Sequence, residues 1–326
     1  MPKISVVMPA YNAEKYIAQA IDSILGQSYR DFEFLILNDC STDGTEAIIS
    51  AYNDPRIVYL KNDKNMGVAA TLNKGFAAAR GEYIARMDAD DISLPERFSL
   101  QVAFLDAHPE VTVLGTHVEC FSTEGSGPLV QYMGSSAQLR IDLLFSSALA
   151  HPSVMLRRQP ILALGGYDSH FEGMEDYELW CRVAEKSDLA VLPQVLLRYR
   201  IHPSQVTQQP SERKRQAART LKMRQLTQLG IPTEGSIAET FYNYQPKQPK
   251  DLTQATLDIR FLEALLDANR EKGLYDQKCL KKTAHLLAKS TGIHLTPRDQ
   301  RKLCRRTRLL WYPELLLSHL KKQLRR

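Results

Sequence analysis

The sequence predicts an α/β fold in which helices flank a mostly parallel sheet, followed by a helical, basic C-terminal extension. Short apolar runs alternate with segments of helical spacing, and a polar loop follows each of the first four runs. Residues 1–210 carry 17 Lys and Arg against 26 Asp and Glu, whereas residues 211–326 carry 25 against 11. We therefore predict a sheet domain over residues 1–210 and a separate extension over residues 211–326.

Length and composition limit the class of protein. The chain has 326 residues, enough for one large α/β domain with an appendage. It contains no apolar run of about 18 residues, the minimum for a membrane-spanning helix, and its start lacks a signal-peptide pattern. Five widely spaced cysteines are typical of reduced thiols rather than of a disulfide framework or a zinc site. These features predict a cytoplasmic protein.

Four apolar runs in the first ninety residues are predicted to be strands: 4–8, 32–37, 57–60 and 83–85. Helical segments connect them, which indicates right-handed βαβ units and parallel strands. Ligands of such sheets bind at the carboxyl ends of the strands. Polar loops fall at those four ends: 11–12, 39–43, 64–65 and 88–91. Turn chemistry alone also explains any one of these loops, but explains all four together less well.

The fourth loop holds three carboxylates, Asp88, Asp90 and Asp91, at the end of a buried strand. Like charges this close repel one another unless a cation neutralises them, and oxygen ligands suit Mg²⁺ or Mn²⁺. The alternative is an acidic loop that caps a helix. Ser93 is predicted to be the N-cap of that helix, with Glu96 completing a capping box.

The remaining elements follow the same patterns. Strands are predicted at 111–115, 118–121 and 195–200, a hairpin or exposed loop at 122–128, and a helix at 139–149. A loop and strand are predicted at 151–155, a turn at 165–168, and a helix beginning at Glu175. Four helices are predicted in the extension, at 212–229, 257–271, 278–290 and 297–310, with a linker at 244–249.

The order and spacing of several motifs within the first 205 residues resemble those of family 2 glycosyltransferases. They lie at 7–12, 38–45, 65–67, 73–75, 79–81, 88–91, 175–182 and 199–202. The resemblance implies the GT-A fold, a Rossmann-like, mostly parallel sheet, and a nucleotide-sugar donor. Cys40 departs from the family, which more often has a small or acidic residue there.

The resemblance also implies roles for individual residues. Asp39 would hydrogen-bond a uracil or thymine ring, and Pro9 and Tyr11 would flank it. Asp88 would face the ribose and sugar, and Asp90 would coordinate a divalent cation. The other predicted donor-binding residues are Asn12, Asp43, Asn65, Gly67, Asn73, Arg80 and Ala89. His202 would close over the diphosphate, within a candidate lid at 199–209, and is a second predicted metal ligand.

Two acids begin the helix at Glu175. The matching Asp in the family is the base, so Asp176 would take the proton of the acceptor, and Glu175 would orient it or the acceptor. The alternative is that both acids only interact with the helix dipole. Arg182 is expected to brace this region. His151 can be structural or functional.

The expected activity is an inverting, metal-dependent transfer of a sugar from a UDP- or dTDP-sugar to a hydroxyl of a glycan or lipid-linked glycan in surface polysaccharide synthesis. Mn²⁺ or Mg²⁺ is the expected cofactor. A nucleotidyltransferase would need a Gly-rich, basic phosphate loop, which residues 9–12 lack. A non-catalytic nucleotide-sugar sensor and a nucleic-acid-binding protein are further alternatives, and the acidic first part argues against nucleic acid.

The end of the chain mixes basic clusters with Leu, Trp and Tyr over residues 301–326. This composition fits a helix on an anionic membrane surface, and it fits a helical bundle with a solvated basic face equally well. The first interpretation predicts a peripheral position on the inner face of the cell membrane.

Overall fold

A computed structural model describes residues 1–122, 125–132, 134–203, 205, 211–245, 248, 250–292 and 295–307. The chain forms two compact units, Met1–Ala217 and Ala218–Arg326. The first unit contains the sheet, and the second is helical in the part that the structure describes.

The strands are β1 Ile4–Ala10, β2 Phe32–Asn38, β3 Ile57–Lys61, β4 Tyr83–Arg86, β5 Ile92–Ser93, β6 Val111–Ser122, β7 Gly125–Val130, β8 Met155–Arg157 and β9 Asp188–Arg200. The helices of the first unit are α1 Ile17–Leu25, α2 Thr45–Ser50, α3 Val68–Ala78, α4 Arg97–Ala107, α5 Ser136–Asp142, α6 Arg158–Ala163 and α7 Glu175–Ala184. Helix α8, Glu212–Leu229, crosses the boundary between the units. The remaining helices are α9 Ser236–Tyr242, α10 Leu252–Lys272, α11 Gln277–Gly292 and α12 Pro297–Arg306.

The strands form one sheet in the order β3-β2-β1-β4-β8-β6-β9-β5, and β7 pairs with β6. The ladders β1–β2, β2–β3, β1–β4 and β6–β9 are parallel, and the pairings of β8, β5 and β7 are antiparallel. The predicted α/β class, with a mostly parallel sheet and a helical C-terminal part, is confirmed. In the register, Ala10 lies opposite Asn38 and Asn38 opposite Lys61, so the loops after β1, β2 and β3 leave the sheet at one edge.

Close packing of α3 on the sheet depends on a glycine. A Cβ atom at position 75 would lie 2.5 Å from Cγ1 of Val7 and 3.0 Å from Cδ1 of Leu37, so a larger residue would push the helix away. The packing of α3 matters for the site because the loop after β3 enters this helix at Gly67.

The predicted helix start at Ser93 is wrong. Ile92 and Ser93 form the short strand β5, which pairs with the end of β9, and α4 begins only at Arg97. The Ser93 hydroxyl accepts a hydrogen bond from Gln27 Nε2 at 3.1 Å instead of capping a helix. Tertiary pairing therefore overrides the local capping pattern, and it fixes the acidic loop against β9.

Other boundaries also differ from the prediction. The two strands predicted at 111–115 and 118–121 are one strand, β6. The prediction of a hairpin or exposed loop at 122–128 agrees, in its hairpin alternative, with the antiparallel pairing of β6 and β7, in which Ser122 lies opposite Gly125. Helix α5 ends at Asp142, earlier than predicted, and α9 was not predicted.

Two helices of the second unit, α10 and α12, begin at side-chain caps. The Asp251 side chain accepts from the Gln254 N–H at the start of α10, and Gly273 ends α10 with a positive φ of 66°. The Thr296 side chain caps α12 in the same way. Residues 308–326, which hold most of the predicted interfacial tail, lie outside the described residues. Within the described part, no helix has the length and apolar character needed to cross a membrane.

Candidate active site

The centre of the site is the acidic loop after β4. Asp88, Asp90 and Asp91 each offer a carboxylate oxygen, and these oxygens lie within 4.8 Å of one another. Asp91 is fully buried; its Oδ1 accepts a hydrogen bond from the Arg200 N–H at 2.8 Å. Its Oδ2 has no hydrogen-bond partner among the described residues. A buried carboxylate oxygen without a partner is costly, and a bound cation would satisfy it.

His202 completes this cluster from the chain segment after β9. Its Nε2 lies 2.9 Å from Oδ2 of Asp90, and its ring stacks obliquely on Tyr16 at 4.9 Å between centroids. Three carboxylates and one imidazole form a donor set that suits Mn²⁺ or Mg²⁺. The residues present therefore fit a divalent cation held by Asp88, Asp90, Asp91 and His202.

The charges of the cluster are unbalanced. Burial raises the pKa of Asp91 well above its usual range, and the neighbouring carboxylates of Asp88 and Asp90 raise it further. Burial also raises the pKa of Asp88; the ion pair with Arg86 opposes this rise, whereas the charges of Asp90 and Asp176 add to it. A divalent cation would favour the ionised form of these carboxyl groups.

The loop after β3 is organised by Asp39. Its Oδ1 accepts hydrogen bonds from the Met66 N–H and Asn62 Nδ2, both at 2.8 Å, and its Oδ2 accepts one from the Gly67 N–H at 3.0 Å. Asn65 Oδ1 accepts from the same Gly67 N–H at 3.1 Å. Asp39 and Asn65 thus fix the backbone of the loop directly before α3.

Gly67 cannot be replaced without strain. Its φ of +82° lies in the left-handed region, and a Cβ atom there would collide with the Glu172 carboxylate. Glu172 also pairs with Arg213 Nη1 at 3.1 Å. Sequence reasoning missed Glu172 because a single acid in a loop carries no pattern.

The loops after β1 and β2 are tied together by Asn12 and Asp43. Asn12 Oδ1 accepts from the Thr42 N–H at 2.8 Å, and Asp43 accepts from the Glu14 and Thr45 N–H groups at 3.1 and 3.0 Å. These contacts hold the two loops at one edge of the sheet.

Two other predicted donor-binding residues lie in this part of the site. Pro9 is in β1, and Tyr11 directly follows that strand, with 51% of its surface exposed. Ala89 is buried between the carboxylates. Cys40 has a φ of +61°, an uncommon conformation for a residue with a side chain.

Two residues predicted to bind the donor, Arg80 and Asn73, instead bind to other protein groups. Arg80 pairs with Glu33 near the start of β2, with Nη2 2.6 Å from Oε2, at the opposite end of the strands. Asn73 donates to the Tyr167 carbonyl at 2.8 Å and accepts from the Tyr167 N–H at 2.9 Å. We therefore exclude both residues from the donor site that we propose.

Glu175 and Asp176 open α7. Glu175 accepts a hydrogen bond from the Gly173 N–H, and Asp176 Oδ2 accepts one from Ser147 Oγ at 3.3 Å. Desolvation raises the pKa of both carboxyl groups, and the charge of Asp176 adds to the rise at Glu175. The Tyr177 N–H and the Arg86 charge oppose the rise at Asp176. A raised pKa suits a carboxylate that accepts a proton.

Arg86 is the main residue that sequence reasoning missed in the centre of the site. It is 3% exposed, forms an ion pair with Asp88, and its charge opposes the rise that burial causes in the pKa of Asp176 and of Glu175. One cation thus acts on the acidic loop and on the start of α7. A positive charge at the end of an otherwise apolar strand, directly before the acidic loop, was the available signal.

Arg182 and His151 have structural contacts. Arg182 pairs with Glu178 at 2.6 Å and donates to two backbone carbonyls, which agrees with a bracing role. His151 Nε2 lies 2.7 Å from the Tyr167 hydroxyl, and burial lowers the pKa of this histidine well below its usual value.

The comparisons with known proteins agree with this architecture. The sequence model of glycosyl transferase family 2 matches residues 5–164. The putative glycosyltransferase EpsE of Bacillus subtilis is 38% identical over 195 residues, which cover 57% of this chain and 68% of EpsE. The amylovoran biosynthesis glycosyltransferase AmsE of Erwinia amylovora is 31% identical over 201 residues, which cover 60% of this chain and 75% of AmsE.

A solved structure shows the same fold. The crystal structure of S. aureus TarS 1–349 in complex with UDP-GlcNAc superposes with a TM-score of 0.58 and 20% identity, over 92% of this chain and 90% of TarS. The sheet and its flanking helices match the GT-A fold. The chain belongs to glycosyl transferase family 2.

Proposed function

We propose that this glycosyltransferase moves a sugar from a UDP- or dTDP-sugar to a hydroxyl of a glycan or lipid-linked glycan, with inversion at the anomeric carbon and with Mn²⁺ or Mg²⁺. One observation carries the proposal: Asp88, Asp90, Asp91 and His202 cluster after two different strands, and Asp88 is close enough to Asp176 for their charges to interact. This arrangement supports the proposal of a donor site beside a candidate base.

Several features support a nucleotide-sugar donor. The TarS structure of the same fold holds UDP-GlcNAc. The loops shaped by Asp39, Asn12 and Asp43 lie at the edge of the sheet where parallel α/β folds bind ligands. When bound, the cation would stabilise the negative charge that develops on the diphosphate leaving group. Asp88 would accept hydrogen bonds from donor hydroxyls, and Tyr11 would cover the base.

The transfer needs one proton acceptor. Asp176 would take the proton of the acceptor hydroxyl. At the same time the hydroxyl oxygen would bond to the anomeric carbon, and the bond from that carbon to the diphosphate would break. A single displacement with one base gives inversion. Glu175, held by the Gly173 N–H, would orient Asp176 or the acceptor.

The acceptor class is proposed from relatives. AmsE is an amylovoran biosynthesis enzyme, and a further relative of 31% identity, WbnJ of Escherichia coli, is an O-antigen biosynthesis enzyme. We therefore propose to test glycan and lipid-linked glycan acceptors of surface polysaccharide synthesis first.

A panel of nucleotide sugars tests the donor. With Mn²⁺ present, a UDP- or dTDP-sugar is expected to raise the melting temperature and to be hydrolysed slowly, and GDP- and CMP-sugars are not. A ligand at about 100 times its Kd stabilises the folded state by ~2.7 kcal/mol, which a thermal-shift measurement detects. Absence of both effects for the whole panel would refute the donor proposal. Formation of a sugar nucleotide from a sugar phosphate and a nucleoside triphosphate would favour the nucleotidyltransferase alternative.

We further propose that the C-terminal unit touches an anionic membrane surface, using the exposed side of α11. This helix contains no Asp or Glu. Its buried residues include Leu280, Ala284 and Ala288, and its exposed residues include Lys278, Lys281, Lys282, Leu286 and Lys289. Leu286 exposes 57% of its surface among these lysines. Lysines that surround an exposed leucine suit anionic lipid headgroups.

Removing two of these lysines is expected to weaken vesicle binding. The double variant Lys282→Gln with Lys289→Gln should bind phosphatidylserine vesicles roughly 30-fold more weakly, since each of the two lysines near such a surface contributes ~1 kcal/mol. Arg260→Gln with Arg270→Gln, on exposed positions of α10, removes the same charge and is the control. Equal losses in both double variants would show only a net-charge effect. Equally strong binding of the wild type to uncharged vesicles would also contradict the proposal.

A further inference from the structure

We infer that Arg200 is a positioning residue that holds the two halves of the cation site together before any cation binds. The inference rests on the proposed metal-dependent function and deepens it. The two halves are the acidic loop after β4 and the segment that carries His202 after β9. Arg200 is the last residue of β9, and it contacts both halves.

Three hydrogen bonds join Arg200 to its surroundings on the acidic side. Its Nε donates to the Asp90 carbonyl at 2.7 Å, its backbone N–H donates to Asp91 Oδ1 at 2.8 Å, and its Nη2 donates to Gln19 Oε1 at 2.6 Å. The first two bonds fix the backbone at Asp90 and the side chain of Asp91, while the third anchors the guanidinium to α1.

Aromatic rings and Gln205 complete the connection to His202. The guanidinium lies between the rings of Tyr16 and Phe121, 4.6 and 4.4 Å from their centroids, and Tyr16 also stacks on His202. Gln205 donates to the Arg200 carbonyl, and its Oε1 accepts from the His202 N–H at 3.2 Å. His202 is therefore held from its backbone and from its ring.

The physical need for such a residue follows from the charges. Three carboxylates within 4.8 Å repel one another when no cation is present, and this repulsion favours an open loop. A fixed guanidinium that bonds to the loop opposes the opening. Lysine cannot replace it, because one ammonium cannot stack between two rings and also direct two hydrogen bonds in a fixed plane.

Direct contact with the donor is a weaker explanation for Arg200. The residue is 7% exposed, and its Nε and Nη2 already donate to protein oxygens. A direct role would weaken nucleotide binding when metal is absent. A positioning role would weaken metal binding when nucleotide is absent, so the two roles predict different measurements.

The test measures Mn²⁺ affinity of the full-length protein without nucleotide, by calorimetry or by electron paramagnetic resonance. Arg200→Lys is expected to raise the Mn²⁺ Kd by about 10–100-fold, the range typical for residues that orient metal ligands. Its transfer rate should recover when Mn²⁺ is raised. Gln19→Ala removes only the anchor and is expected to raise the Kd by a smaller factor, with little risk to folding because Gln19 is exposed.

Arg198→Lys is the matched control. Arg198 lies two residues earlier on β9 and also stacks on Phe121, at 4.5 Å, but it pairs with Glu119 and not with the acidic loop. Its Mn²⁺ Kd should equal that of the wild type. A general loss of structure at this end of the sheet would instead change all three variants.

The outcomes separate cleanly. An unchanged Mn²⁺ Kd in both Arg200→Lys and Gln19→Ala, or no Mn²⁺ binding by the wild type, would overturn the inference. A transfer defect that excess Mn²⁺ does not correct, with weaker UDP binding in EDTA, would assign Arg200 to the donor. If Arg200→Lys does not fold, Gln19→Ala decides. If no nucleotide sugar is a donor and the Mn²⁺ constants still shift as expected, the proposed function fails and the inference stands.

Discussion

Asp90→Ala is expected to abolish sugar transfer and to remove the stabilisation that Mn²⁺ adds to nucleotide binding. Asp90 belongs to the carboxylate cluster and its Oδ2 lies 2.9 Å from His202 Nε2, so its loss removes the carboxylate that links the acidic loop to the imidazole. Lewis-acid stabilisation contributes several kcal/mol, and each ~1.4 kcal/mol is tenfold in rate. Transfer should therefore fall by more than about 10³-fold. Steady-state transfer and thermal shift with UDP, each with and without Mn²⁺, measure the two effects.

Glu96→Ala is a suitable control for that experiment. Glu96 is an exposed acid six residues further along the chain, and its side chain makes no capping hydrogen bond to α4. It should leave both measurements unchanged. Full transfer activity of the wild type in EDTA, together with unchanged nucleotide binding by Asp90→Ala, would show that the acidic cluster has no metal role.

Asp176→Asn is expected to lower kcat by ~10²–10⁴-fold, the usual contribution of a general base, and to leave donor affinity nearly unchanged. The amide keeps the shape of the side chain but cannot take a proton. Glu175→Gln should lower kcat by a smaller factor if Glu175 only orients Asp176 or the acceptor. Transfer kinetics for both variants, with nucleotide binding by calorimetry, test the assignment. A wild-type rate for Asp176→Asn, or inactivity of Glu175→Gln alone, would mean that another group is the base.

The pH dependence provides an independent check on the same residue. Desolvation raises the pKa of Asp176 in the folded enzyme, and only the ionised form accepts a proton. The acid limb of kcat/KM should therefore lie at a higher pH than an ordinary aspartate would give. The limb should disappear from the residual activity of Asp176→Asn. Asp168→Asn, an exposed carboxylate paired with His170, should keep it.

The sequence predicted the strands β1 to β4, the polar loops at their ends and the carboxylates of the acidic loop, because these depend on local patterns. The resemblance to family 2 glycosyltransferases also implied that Asp90 and His202 belong to one metal site. The sequence did not reveal Arg200 as the link between them, since stacking on Tyr16 and Phe121 depends on residues far apart in the sequence. Ser93 shows the same limitation, because its capping pattern lost to pairing with β9.

Arg80 could have been excluded by topology alone. A helix that connects two parallel strands runs back along the sheet, so its last residues return to the amino ends of the strands. Arg80 follows the end of α3 and pairs there with Glu33, far from the loops that form the site. Asn73 lies within the same helix, and a sequence motif does not say which way its side chain points.

The pairing of Asp90 with His202 also has a consequence for folding. The two residues are 112 positions apart, and β6 joins β9 in parallel across about 80 residues. Closing such long loops costs chain entropy before the contacts form, which makes this part of the sheet a late step. A nascent chain that ends before β9 already carries every carboxylate of the acidic loop, yet it lacks the strand that brings the imidazole to them. The proposed four-residue cation site is therefore complete only in chains that have completed the sheet.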